Sequence, residues 1–470
     1  MVMTRLLIIL FILLLPVYSF PQAKVLVIKN VAVIDLLNYQ VLPGKTVVIE
    51  GNKIIAVSKK VTISKPAKVI DGSGKYLIPG FWDMHVHVLT DSRFTWVFPL
   101  LIANGITGVR EMGNNLSLQQ ADEIRKQILT GKLTGPRIGA LTGRILDGSG
   151  TRLNVSVAIG SADSGRQMVR FYKQQGANFI KVYDLLNRET FLAIADESKK
   201  QKIPFEGHVP FALTAAEVSD LGQRSIEHAA DVLISSSGNE LSLRKALLDS
   251  GAIGQHRLRS QLEVNAAFSY SEEKAKALFK RFSKNGTWQC PTMITKLATT
   301  FSDLDQVLKD SRLKYMPKET AENWKNIFIN GFAIIGNLDE RRKRFEKTVE
   351  IVGVMHQANV DILAGTDLGN PFIFPGFSLH DELALMVKAG LSPLNALRTA
   401  TLNPARFLGV QDSIGRIAKG KIADLVLLDA NPLENIANTK RIFAVITNGR
   451  LFSRKDLDTL LSQVEEQAKK

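Results

Sequence analysis

The chain has 470 residues, 45% hydrophobic and 22% charged, an ordinary globular composition with length enough to bury a core without staples. A single cysteine, Cys290, excludes an internal disulfide framework and any cysteine-built zinc site; in the apolar run "TWQCPTM" it reads as a buried small hydrophobe. The formal net charge of +15 is scattered, with no arginine-rich block or RNA-binding motif, so it reads as a basic surface and not as a nucleic-acid footprint.

The N-terminal "MVMTRLLIILFILLLPVYSF" places Arg5 before an unbroken apolar run from Leu6 to Leu15, followed by Val17 and Ser19. That order of charge, apolar stretch and small residues predicts a secretory signal over residues 1–19 and a secreted or periplasmic mature protein. The apolar run is short for a membrane span, and no stable span is expected after cleavage; a retained anchor is the alternative. Residues 24–79 then carry short strands with Gly, Asn or Asp between them, as in "KVLVIKNVAVID" and "KTVVIEGNKIIAV". The same character returns over 411–454, in "GRIAKGKIADLVLLDANPL" and "RIFAVITNGRLF". The two ends predict one small β-sandwich domain built from both termini.

Between them, over 80–410, short apolar runs alternate with longer amphipathic segments. "FWDMHVHV", "GITGVREMG", "PRIGALTG", "NFIKVYD", "IPFEGHV", "RSIEHA", "TWQCPTM" and "DILAGTD" bring the strand count to eight. Intervening stretches such as "SLQQADEIRKQILTG" and "SADSGRQMVRFYKQQG" have helical character, the second with Gly176 where a helix-terminating glycine belongs. Strand–helix alternation at this count predicts a (β/α)8 (TIM) barrel, an α/β fold. Two helical insertions, near 231–285 and 295–358, follow the sixth and seventh strands and are expected to shape the substrate side of the barrel.

The ends of these strands carry an unusual set of polar residues. His85 and His87 end the first strand, two apart and so on one face. Lys181 sits within the fourth, His208 and His228 end the fifth and sixth, and Asp367 ends the eighth. Any one of them has an ordinary reading: a hydrogen-bonded histidine, a snorkelling lysine, a helix cap at Asp367. Together they would converge at one mouth of a barrel. Neutral imidazole and carboxylate suit zinc and its neighbours. A bare buried ammonium is costly, but as a carbamate Lys181 would become an anionic two-oxygen bridge between two metals.

The chain resembles the amidohydrolase superfamily, and most of all the branch with imidazolonepropionase-like and prolidase-like metal-dependent hydrolases. The motifs carrying the resemblance are "VIDGSGKYLIPGFWDMHVH", "GTD", "SLHDELALMVKAGLSPLNALRTATLNPARFLG" and "GRIAKGKIADLVLLDANPLENI". The resemblance implies two divalent metal ions, zinc first among the candidates, with manganese and cobalt also suited. His85, His87 and Asp367 would hold the more buried ion, His208 and His228 the other, with carboxylated Lys181 and a hydroxide bridging them. It further implies hydrolysis of a C–N bond, with Asp367 as the proton shuttle.

Tyr183, two residues after Lys181, points to the same side and is a candidate contact for a substrate carboxylate or oxyanion. Arg144 after the third strand and His380 in "SLHDEL" are further substrate-contact candidates, His380 with capping as an equal alternative. Where many relatives show a "GGH" type stretch after the third strand, this chain has "LDGSG". His256 and His356 fall in helical insertions and read as ordinary. The leading expectation is a secreted amidohydrolase for N-acyl amino acids or dipeptides of Xaa-Pro type. The alternatives are a hydrolase of cyclic amides such as imidazolones or hydantoins, and a non-catalytic metal-binding barrel. The expected partner is a small-molecule or dipeptide substrate; a homo-oligomer is left open.

Overall fold

A computed structural model of the chain describes residues 25–62, 66–90, 93–151, 153–250, 255–300, 308–329 and 337–470, with only the backbone at 255–257. The signal expected at residues 1–19 and the side chain of His256 lie outside the described residues.

Five strands open the fold: β1 (Val25–Asp35), β2 (Gln40–Glu50), β3 (Lys53–Ser58), β4 (Lys68–Asp71) and β5 (Tyr76–Pro79). β1, β2 and β3 form the antiparallel hairpins that their turn residues predict, and β4 and β5 join β1 in parallel.

The barrel follows. Its strands are β6 (Phe81–Val86), β7 (Ile106–Glu111) and β8 (Arg137–Leu141), then, after an extra parallel pair β9 (Ile145–Gly148) and β10 (Ser156–Ile159), β11 (Ile180–Val182), β12 (Phe205–Gly207), β13 (Ser225–Glu227) and β14 (Trp288–Cys290). β6 to β8 pair in parallel, as do β11 to β14. The eighth member, "DILAGTD", is an extended segment that closes the ring. Its Leu363 amide donates to the Gln289 carbonyl of β14 at 2.8 Å, and the Met84 amide of β6 donates to its Ala364 carbonyl at 2.9 Å. Asn178 bridges β8 to the β11 segment, donating its amide to the Leu141 carbonyl at 2.9 Å and accepting the Leu141 amide at 3.0 Å. The "LDGSG" stretch thus lies partly in β9, which touches β11 at Leu146–Val182.

The helices lie where the periodicity puts them. Leu118–Thr130 is capped by Ser117 and Gln120, ends at left-handed Gly131, and buries Leu118, Ala121, Ile124 and Ile128 on one face. The insertion after β13 folds as helices Ala229–Ser235, Glu240–Asp249, Gln255–Phe268 and Glu272–Asn285. The described part of the one after β14 includes Met293–Thr300, Lys318–Ile327 and Leu338–Gln357.

The C-terminal strands β15 (Leu425–Leu428), β16 (Ile442–Thr447) and β17 (Arg450–Ser453) return to β5, so both termini share one hydrogen-bonded sheet in the order β17-β16-β15-β5-β1-β2-β3, with β4 on β1. The sheet folds over its own core: Leu26 and Ile49 pack in one cluster with Leu77, Leu425 and Ile446. A final helix, Arg454–Ala468, has no counterpart in the sequence expectations; it buries Leu457 and Val464 against the barrel side of the core. Among the described residues no helix is long and apolar enough to cross a membrane.

Candidate metal centre

The six strand-end residues converge. β6 ends so that the His85 and His87 rings lie 5.4 Å apart between centroids. The eighth segment brings Asp367 to both: its Oδ1 is 3.4 Å from His85 Nε2 and 3.5 Å from His87 Nε2, and its Oδ2 is 3.8 Å from His228 Nδ1. The ring of His228 is 4.8 Å from that of His85 and 4.5 Å from that of His208. Tyr183 extends this row of rings, its centroid 4.0 Å from His208. The close approach of the eighth segment to β6 requires glycine at 365, where a Cβ would stand 2.5 Å from Cys290 Sγ and 2.9 Å from the His85 backbone nitrogen.

Three residues of this mouth hold left-handed backbone without being glycine: His228 (φ 66°), Thr292 (φ 45°) and Asp367 (φ 59°). Such conformations cost energy and persist where surrounding bonds enforce them. Here the His228 amide donates to the Cys290 carbonyl, and the Asp367 amide to the His85 carbonyl.

Every histidine of the set has its Nδ1 engaged. His85 Nδ1 bonds the Glu227 carboxylate at 2.8 Å, His87 Nδ1 the Gly113 carbonyl at 2.8 Å, His208 Nδ1 the Asp184 carboxylate at 2.8 Å, and His228 Nδ1 the Thr292 hydroxyl at 2.7 Å. Bonds of this kind fix the ring and leave the opposite nitrogen for a metal. Burial, reinforced by Lys181, pushes His85 down to about 3, and burial also holds His228 well below the usual histidine range. Both shifts run toward neutral imidazole, the form that ligates. Burial alone would raise Asp367, but His228, His85 and His87 outweigh it and keep the carboxyl well below the ordinary range.

Two buried atoms here have no hydrogen-bond partner among the described residues: His85 Nε2 and Lys181 Nζ. Lys181 is only 1% exposed, and burial depresses its pKa, opposed by Glu227 and Asp367. Buried polar atoms are seldom orphaned. A neutral imidazole nitrogen and a lysine amine left bare beside a carboxylate fit a cluster completed by metal ions. The residues present therefore suit the implied group.

Two of the substrate-contact candidates lie elsewhere. His380 is 2% exposed, with Nε2 on the Asn104 carbonyl at 3.1 Å, Nδ1 on the Thr439 hydroxyl at 3.0 Å, and its ring edge-on to Phe81. Phe81 begins β6, at the end of the barrel opposite His85 and His87, so His380 is a packed core histidine with no ring nitrogen to offer a substrate. Arg144 is exposed; its guanidinium donates to the Asn154 carbonyl and has no bond to the histidine cluster. Tyr183 does sit in the site, and burial, then Asp184, raise its phenol well above the usual range, so it carries its proton. Among the described residues nothing bonds its hydroxyl.

The structure adds supporting residues. Glu227 accepts from His85 and from Arg110 Nη2 at 2.8 Å, while Arg110 Nη1 reaches Glu206 at 2.7 Å, all within the barrel interior. Arg110, Glu206 and Glu227 are charged residues inside apolar strands, the signal that also marks Lys181. Asp184 accepts from His208 and from Arg259. Burial would raise Asp184, but Arg259 and then His208 hold it well below the usual carboxylate range.

The Amidohydrolase family matches residues 76–452, most of the chain. Among solved structures, a bottromycin amidohydrolase is similar over 95% of this chain and 91% of its own, with a TM-score of 0.74 and 23% identity. A prolidase complexed with N-methylphosphonate-L-proline is similar over 92% of this chain and 100% of its own, with a TM-score of 0.65 and 24% identity. The adenine deaminase of Shewanella halifaxensis is 31% identical over 113 residues, 23% of this chain, and the match spans only 19% of that enzyme's length. The chain belongs to the amidohydrolase family.

Proposed function

We propose that the enzyme hydrolyses the amide bond of an N-acyl amino acid or a dipeptide, Xaa-Pro types included, with two divalent ions held by His85, His87, Asp367, His208, His228 and carboxylated Lys181. The observation that carries the proposal is the pair of orphaned buried atoms, His85 Nε2 and Lys181 Nζ, in one cluster with Asp367. Bound there, the ions supply Lewis acidity and lower the pKa of a water. Asp367, held as carboxylate, takes the proton of the attacking water and returns it to the leaving nitrogen. The four Nδ1 bonds hold the rings, so little reorganisation is needed as charge develops. Tyr183, protonated and unpartnered, donates to the substrate carboxylate or to the oxyanion. The prolidase likeness supports the choice of linear amides.

A second reading is hydrolysis of a cyclic amide such as an imidazolone or hydantoin, and the adenine deaminase match adds removal of an exocyclic amine from a heterocycle. A screen of the metal-replete protein against Xaa-Pro, Xaa-Arg and N-acyl amino acids, beside hydantoins and adenine, separates the two. Release of free amino acid supports the proposal, and turnover of ring compounds alone replaces it. Fewer than two metals per chain with no turnover would leave a non-catalytic barrel. The proposal also places the enzyme outside the cytoplasm, on the pattern of residues 1–19; cell fractionation with N-terminal sequencing tests this.

A further inference from the structure

Asp184, His208 and Asp231 each offer one ligand-type atom, and the three lie within 4.8 Å of one another. Two buried carboxylates so close repel unless a cation stands between them. The cation is already there. Arg259, from the insertion helix Gln255–Phe268, donates from Nη1 to Asp184 Oδ2 at 2.6 Å and from Nη2 to Asp231 Oδ1 at 2.6 Å. The guanidinium is nearly buried and its carbon lies 5.8 Å from the Phe211 ring centroid. A planar fork suits two carboxylates where a lysine would reach one.

Each carboxylate uses its second oxygen on the barrel wall. Asp184 Oδ1 accepts the Nδ1–H of His208, and Asp231 Oδ2 accepts the amide N–H of Val209, the residue after His208. Arg259 thus grips both the ring and the backbone of the His208 turn. The helix is anchored behind: Glu263, one turn on, pairs with Lys296 at 2.8 Å and Arg344 at 3.4 Å, on the helices Met293–Thr300 and Leu338–Gln357.

We infer that Arg259 is a positioning residue: the resident cation of the Asp184–Asp231 pair, which keeps a metal out of that cluster and holds His208 for the catalytic metal it serves. The inference rests on the reading of His208 as a metal ligand. It links the insertion after β13 to one metal of the pair, with no part in holding the other.

The test is competitive titration of zinc against a chelator, on the full chain, for wild type, Arg259→Met and Arg259→Lys, with circular dichroism as a folding control. Wild type is expected to hold two equivalents. Arg259→Met should bind one of them 10–100-fold more weakly, the range seen when such supporting partners are removed, and leave the other unchanged. Arg259→Lys should fall between. Equal weakening of both metals would indicate a general structural role and overturn the inference, as would folded Arg259→Met with wild-type affinity for both. If Arg259→Met does not fold, unchanged affinity in Arg259→Lys overturns it. A wild-type protein with fewer than two zinc sites would instead refute the two-metal reading, and the inference with it.

Discussion

Replacing Lys181 by methionine should change stability in opposite directions with and without metal. In the metal-free protein the Lys181 amine is buried with no hydrogen-bond partner, a state that costs about 1–3 kcal/mol. Methionine has similar length and no donor to strand, so that cost is relieved. Against this, Glu227 and Asp367 lose a nearby positive charge. Glu227 keeps Arg110, Ser225 and His85, and Asp367 keeps three histidines, so the loss is partial. The metal-free variant should match or exceed wild type by about 1 kcal/mol. With metal the order should reverse. Ions at a hundredfold excess over Kd stabilise by about 2.7 kcal/mol per site, and the variant lacks a ligand to both. The assay is urea unfolding of both proteins, stripped by chelator and then reloaded with zinc. Destabilisation of the stripped variant by more than about 1 kcal/mol would refute the reasoning, since Lys181 would then be an ordinary ion-pair partner. So would equal stabilisation of both proteins by zinc.

Three further outcomes are expected. Glu227→Gln should destabilise by about 3 kcal/mol in urea unfolding, because Arg110 loses one of its two charged partners in the barrel interior, leaving only Glu206. Gly365→Ala should destabilise by about 1–3 kcal/mol and reduce retained zinc, since the new Cβ forces the eighth segment away from His85 and Cys290; wild-type metal content would contradict the packing argument. Acid should weaken the Arg170–Glu197 pair, whose hydrogen bond holds the Glu197 carboxyl down at about 2. With the folded pKa below the unfolded one, its contribution is full above pH 4.5 and fades as pH falls toward 2. Arg170 is half-exposed and screened, so the stability gap between wild type and Glu197→Gln should be about 1 kcal/mol at pH 7 and close by pH 2; a pH-independent gap would contradict this.

The candidate site is legible in the sequence because strand ends are local features. His85 and His87 share a face by the two-residue period alone, and Lys181 is conspicuous as a charge in an apolar strand. Arg110, Glu206 and Glu227 carry the same mark. Arg259 does not: it lies in a helical insertion, and its partner Asp184 is 75 residues away, so no local period connects them. The β9–β10 pair is hidden for a similar reason, since parallel register is set by the neighbouring β11 and not by a turn. His380 shows the limit of placing residues by element. Its helix, Phe377–Lys388, turns it onto Phe81 and Asn104 at the far end of the barrel, and a histidine near a helix start reads alike at either end. The β-domain was predictable from both termini, but the pairing of β15 with β5 that unites them is a contact between distant strands.

The most direct test of the two-metal account is an anomalous difference map at the zinc edge, from crystals of the zinc-loaded protein. Two peaks are expected, one bounded by His85, His87 and Asp367 and the other by His208 and His228, with density continuing beyond Lys181 Nζ between them. A single peak, or a bare Lys181 amine beside two, would contradict it.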